Sequence, residues 1–280
     1  MKKILFTFPF IISLVGAQQD FVGDVFGKGS INFTDRTIQA TGTGFIPENV
    51  INAGQARRSA VRIAKQDALR QLIEIVNGVN VTSETTIEGA MFDDKIKTQV
   101  QGAIRGARRV GDPRYLSDTS VEVVFEVSMN NIAYALLPIV EAATVVVGAA
   151  TEASLSQTAA ALSTTTSGGI TGIIIDGKDL GLRPAMSPRI LDQNGGVVYG
   201  PGHYSRDYAA ANGVVGYAKS LKQAQADTRV QGNPLVLRAT SASGTTRSDV
   251  IITNVDAGKV SRANNNAGVL KNCRIMFILD

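Results

Sequence analysis

The chain has 280 residues, 44% of them hydrophobic and 19% charged, and its 28 Lys and Arg against 24 Asp and Glu leave a formal charge of only +4. So small an excess, partly carried by two lysines in the first three residues, argues against nucleic acid as the main partner. A single cysteine, Cys273, excludes an intramolecular disulfide, and the length suggests two domains.

Lys2 and Lys3 precede an apolar run over 4–14, and Val15 and Ala17 occupy the −3 and −1 positions of a small-residue cleavage site before Gln18. This reads as an export leader, 1–17, too short to span a bilayer as a mature helix. Position 17 is Ala where a lipoprotein signal needs cysteine, so no lipid anchor is expected. The expected location is the periplasm or the outer membrane.

Residues 18–41 are rich in Gly and Thr and read as an extended lead-in, with strands at 31–33 and 37–41. Gly42-Thr43-Gly44 is followed by Phe45-Ile46-Pro47 instead of a helix, so it is a turn and not a dinucleotide loop. An amphipathic helix follows. Ala56, Ala60, Ile63, Ala64, Ala68, Leu72 and Val76 recur at helical spacing, whereas Arg57, Arg58, Arg62, Lys65, Arg70 and Glu74 fall elsewhere on the wheel. Asn52, with Gln55 three residues on, is the expected N-cap, and Asn77-Gly78 the stop. Asp67 lies at the edge of the apolar stripe, where an unpaired carboxylate is costly, so it is expected to accept hydrogen bonds or an arginine.

Alternation predicts strands at 79–87, 100–106 and 120–129, with a polar loop at 89–97. Val121, Val123, Phe125, Val127 and Met129 share one face of the last strand, and Glu122 and Glu126 are expected to face Arg105 and Arg109 on its neighbour. The fold class is therefore α+β: an N-terminal helix on an antiparallel sheet over 42–130, then a second α+β domain over 170–280. The intervening 131–169 is apolar, then rich in Ala, Ser and Thr. It reads as an interface element, a plain connector or a membrane contact followed by a flexible linker. In the second domain the pattern predicts an apolar strand at 170–176, a hairpin at 188–199 turning at 192–196, and a helix at 218–228. Strands at 234–239 and 249–253, a helix at 256–267 and a closing strand at 274–279 complete it.

No catalytic, cofactor-binding or metal-binding residue emerges. His203 is the lone histidine, beside Tyr199, Tyr204, Ser205 and Asp207, but it stands in a Gly-Pro-Gly loop without a nucleophile elbow. Asp176, Asp179, Asp192 and Asn194 lack calcium-loop spacing and read as turn residues. Arg105, Arg108 and Arg109 suit either phosphate or lipopolysaccharide headgroups, or an ion-paired sheet face. Cys273 lies in an alternating strand and reads as a packed small hydrophobe.

Gly42, Gly44 and Pro47, then Ala64, Asp67, Ala68, Arg70 and Leu72, then the run 78–85 and a Gly-Ala-Arg at 106–108 together resemble the core domain of the FlgP-related small outer-membrane lipoproteins. The block from Thr171 to Gly200 resembles an extra C-terminal domain of longer exported relatives. The resemblance implies an envelope structural role, such as a ring around the flagellar rod near the outer membrane. The expected function is a non-enzymatic envelope protein that self-associates or docks on an outer-membrane assembly, the flagellar basal body among the options. The alternative is a periplasmic binding module for a glycan or lipid headgroup. Envelope proteins, the outer membrane or peptidoglycan are the expected partners; no cofactor and no nucleic acid are expected.

Overall fold

The computed structural model describes residues 21–46, 52–137 and 169–280. The expected leader and most of the expected linker, 138–168, lie outside the described residues. The chain is an α+β protein, and its N-terminal segment lays a helix on an antiparallel sheet.

That sheet has five strands in the order β1-β2-β3-β5-β4: β1 Gly23–Phe26, β2 Gly29–Asn32, β3 Thr37–Phe45, β4 Arg108–Tyr115 and β5 Ser120–Ser128. The lead-in strands are thus part of it, and position 42 falls inside β3. α1 (Ala53–Asn77) crosses β3 and β5 and buries Ala56, Ala60, Ala64, Ala68, Leu72 and Val76. Asn52 caps it by accepting from the Gly54 and Gln55 amides. Ile63 departs from the expected stripe and is exposed. The four-residue spacing of the alanines defines a narrower contact line than the full stripe, because β3 opposes the helix with glycines. A Cβ at Gly42 would lie 2.0 Å from the Ala64 carbonyl oxygen, and one at Gly44 2.1 Å from that of Ala60. Small residues on both sides bring the two backbones into contact.

Two expected strands are not strands. Residues 79–87 contain only the isolated bridge Asn80↔Thr86. The Thr82 hydroxyl accepts from the Glu84 and Thr85 amides, so local side-chain bonds replace a ladder. The alternating Val79, Val81, Ser83 and Ile87 are buried nonetheless, within a compact loop. Residues 94–105, overlapping both the expected loop at 89–97 and the expected strand at 100–106, form α3 (Asp94–Arg105), after the short α2 (Ile87–Ala90). Ile96, Val100 and Ile104 repeat every four residues on its buried face, and Asp93 caps it through the Lys95 amide. Arg105 therefore ends a helix and does not face Glu122 or Glu126. In the β4–β5 register Arg108 opposes Glu126 and Arg114 opposes Glu122, and each makes an ion pair, while Arg109 opposes Phe125.

Residues 129–137, here α4, are helical and bury Ile132, Ala133, Leu136 and Leu137. The second segment contains a four-stranded parallel sheet in the order β10-β6-β13-β9: β6 Ile173–Asp176, β9 Gly216–Ala218, β10 Leu235–Arg238 and β13 Ile275–Ile278. β6 and β13 bury Ile173, Ile174, Ile175, Ile275, Met276, Phe277 and Ile278, the continuous apolar run of central parallel strands. A mixed sheet β11-β12-β7-β8 joins β7 Ile190–Leu191, β8 Val197–Tyr199, β11 Ser241–Ser243 and β12 Asp249–Ile251. The expected hairpin is present as β7 and β8. The helix expected at 218–228 is divided: β9 takes its start, and α6 (Leu221–Ala226) begins after the Ser220 cap. α5 (Arg206–Asn212) and α7 (Asn254–Ala267) are the remaining helices.

The two segments share one apolar core and interlock through polar groups. The Met186 and Ser187 amides donate to the Asn80 and Val81 carbonyls at 2.9 and 2.7 Å, and the Thr246 amide to that of Ser83 at 2.8 Å. Fully buried Asp249 accepts from the Ser83 hydroxyl at 2.6 Å and from the Arg189 amide and Nε at 2.7 and 2.8 Å. Arg36 reaches across to the Ala210 and Ala211 carbonyls at the end of α5, where the helix dipole favours a cation. Burial, with Arg229 adding to it, holds that guanidinium down to about 10.

Candidate functional site

An open concavity lies beside α1. Since the alanines face the sheet, Arg58, Val61, Arg62 and Lys65 flank the helix at its β4 side, spaced over about 10 Å at 1.5 Å per residue. Phe125 forms the floor, and Arg109 with Gly111 of β4 forms the far wall. The groove is open to solvent along its length and offers about 620 Å³. Lys65 Nζ stands 5.6 Å from the Phe125 ring centre, and just outside the groove the Arg57 guanidinium stands 5.7 Å from that of Tyr115.

These cations stand close together along one open groove with few acids beside them. Among the described residues Arg57, Arg58, Arg62 and Lys65 have no carboxylate within 4.0 Å, and Arg109 has only Asp112, at 3.6 Å, itself 98% exposed. Arg70, by contrast, is neutralised by Asp67 and Glu74, Arg189 by Asp249, and Arg238 by Asp176 and Asp179. Among the described residues no carboxylate lines the groove, so an apolar floor and a positive field coincide there.

β4 at its rim is irregular. Its register shifts between Val110 and Arg114, Gly111 takes φ +69°, and Pro113 offers no amide hydrogen. Charges, a bulge and a proline are the devices that keep another strand off an edge.

The other sequence candidates do not assemble. His203 is exposed, while Tyr199 and Tyr204 are buried, their hydroxyls engaged with the Val214 carbonyl at 2.7 Å and the Ser187 hydroxyl at 3.0 Å. Ser205 and Asp207 begin α5. Asp176 and Asp179 belong to Arg238, and Asp192 accepts from the Asn194 and Gly196 amides in its turn. Among the described residues no three His, Cys, Asp or Glu are grouped to hold a metal. Cys273 is buried, and burial pushes its thiol up despite opposing pulls from Tyr199, Arg229 and Arg36. A second cavity, bordered by Phe33, Arg36, Met129 and Tyr217, has about 20 Å³, room for one water. Asp67 is satisfied as expected, accepting from the Thr43 amide at 3.0 Å and from Arg70 and Gln71, each at 2.8 Å.

Of the arginines expected to bind anions, only Arg109 lines the groove; Arg108 is paired with Glu126 and Arg105 ends α3. The helix residues Arg58, Arg62 and Lys65 supply the rest. A signal for them exists in the sequence: none has an acid three or four positions away, whereas Arg70 has Asp67 and Glu74.

The molecule is thus an α+β protein with a cationic groove on its N-terminal segment. Its second segment matches, over residues 172–280, the family model of the second domain of Treponema pallidum Tp0624. That range begins just before β6 and takes in the whole parallel sheet. No curated protein matches the chain.

Proposed function

We propose that this is an exported, non-enzymatic protein of the cell envelope that docks on an anionic outer-membrane surface through the groove beside α1. The observation that carries the reading is the row of cations, Arg58, Arg62 and Lys65 without an acid partner and Arg109 opposite them, along an open groove with no carboxylate among its described lining residues. The leader-like residues 1–17 support the address, and the likeness of 42–130 to the FlgP-related family supports an outer-membrane assembly, the flagellar basal body among them. Each Lys or Arg held against an anionic bilayer is worth about 1 kcal/mol, so four would strengthen binding by about three orders of magnitude.

Flotation of the purified chain with neutral and anionic vesicles tests this. Binding to the anionic vesicles alone, weakened at least tenfold by R58E/R62E and by raised salt, is the expected result. Equal binding to both, or none to either, would overturn it. Self-association is a second reading, favoured by the edge strand β1, where Val25 and Phe26 are 56% and 46% exposed. A strictly monomeric sedimentation profile at tens of micromolar would remove that reading and leave the first untouched.

A further inference from the structure

The composition of the groove narrows what it holds. Four basic residues line it, three of them arginines, with no acid among the described lining residues. A single carboxylate would leave most of that charge uncompensated. A phosphomonoester carries about −1.5 to −2 charges and three acceptor oxygens, which matches several donors at once. Arginine's planar fork meets a phosphate through paired N–H donors, which a lysine does not reproduce.

The rim adds a second constraint. An extended acidic peptide would seek the backbone edge of β4, but that edge is broken between Val110 and Arg114 and carries Gly111 and Pro113. Strand addition is therefore disfavoured. At the end of the sheet where α1 begins, Phe45 and Tyr115 are 62% and 53% exposed, and their Cα partners are the adjacent residues Ser120 and Val121 of β5. Exposed aromatic rings beside basic residues are the composition of a surface that lies at a membrane interface.

We propose that the groove seats the phosphomonoester headgroup of an envelope amphiphile, with Arg58 and Arg62 as the phosphate-reading pair and the bilayer as its source. The inference rests on the reading that the groove docks on an anionic surface, and the following experiment separates the two. The purified chain is floated with phosphatidylcholine vesicles containing either phosphatidic acid or phosphatidylserine, their mole fractions set so that the two surface potentials are equal.

A preference of about tenfold for phosphatidic acid is expected, reduced to less than threefold by R58K/R62K, which keeps the charge and removes the forks. Both side chains are exposed, so folding is not at stake. Equal binding to the two vesicles, or a preference that survives R58K/R62K, would overturn the headgroup assignment while docking stands. Binding to neither would overturn both. Binding of a water-soluble, short-chain phosphatidic acid as tightly as the vesicle would overturn the bilayer as the source.

Discussion

Replacing Gly42 with alanine tests the seating of α1 directly. The new Cβ would stand 2.0 Å from the Ala64 carbonyl oxygen and 2.3 Å from the Ala68 amide nitrogen, where ordinary contact begins near 3.4 Å. Both atoms belong to the helix backbone, so no side chain can swing aside. Relief requires α1 to rise by about 1.4 Å, and a gap of even 0.5–1 Å forfeits a quarter to a half of each dispersion contact. That loss falls on the buried line through Ala60, Ala64, Ala68 and Leu72. Overpacking of this kind costs about 1–3 kcal/mol, with a backbone clash at the upper end. Removing a strand glycine returns roughly 0.5–1 kcal/mol of chain entropy, leaving a net loss of about 2 kcal/mol. Gly102 in α3 supplies a control of opposite sign: its Cβ would meet nothing within 4 Å, so G102A should stabilise by about 0.5–1 kcal/mol. Urea unfolding followed by circular dichroism at 222 nm reads both. An unchanged midpoint for G42A would refute the close approach of α1 to β3.

Asp67→Ala should destabilise by about 1–3 kcal/mol, since it strands the Thr43 amide and frees Arg70 and Gln71. Burial works to raise the Asp67 carboxyl, but the Thr43, Arg70 and Gln71 bonds outweigh it and hold it below its ordinary 3.8. The stability it lends is therefore complete above that ordinary value and is lost as pH falls through the lower folded value, so the gap between wild type and Asp67→Ala should narrow between pH 5 and pH 2; a gap that widened would contradict the bonding. Asp249→Ala should cost about 3–5 kcal/mol, because Arg189 and the Ser83 hydroxyl lose a fully buried partner. A double-mutant cycle with Ser83→Ala checks it: additive losses would mean that the two segments are not coupled there. Cys273 should resist a thiol reagent in the native protein and react upon unfolding, as its burial and raised thiol require; rapid native labelling would show that the second segment opens.

Sequence patterns reveal elements whose surroundings agree with their period, and mislead where neighbours override it. α1 was legible because its alanines, cap and stop agree. β5 was legible because its alternating apolar face is buried and α1 packs on it. Over 94–105 Gly102 and Gly106 suggest a bent strand, yet Ile96, Val100 and Ile104 with the Asp93 cap fit a helix better; the four-residue interval extends beyond the window in which alternation is apparent. Over 79–87 the alternation marks burial without pairing, because the partner is a loop of the second segment more than a hundred residues away. Long-range pairing also explains the parallel sheet, whose strands are separated by irregular connections that give no βαβ rhythm. The groove was half visible: its helix cations stand in the polar face of the wheel, but the opposing Arg109 comes from a register that no local pattern fixes.

Placement along α1 bears on how the groove and the second segment act together. From Arg58 at the groove to Val79 in the interlocked loop is about 30 Å along the helix axis at 1.5 Å per residue. None of the described residues lining the groove comes from the second segment, whose contacts gather at the far end of the helix around Asn80, Val81, Ser83 and Arg36. A ligand seated in the groove as proposed would leave those contacts untouched. The helix spans both ends, and Gly42 and Gly44 let its backbone approach β3 closely. The same close approach brings Arg58, Arg62 and Lys65 level with Arg109 across Phe125, so lifting the helix would widen the groove as well as weaken the fold. G42A should then lose vesicle binding even under conditions where it remains folded, whereas Asp249→Ala, which acts at the other end, should keep it.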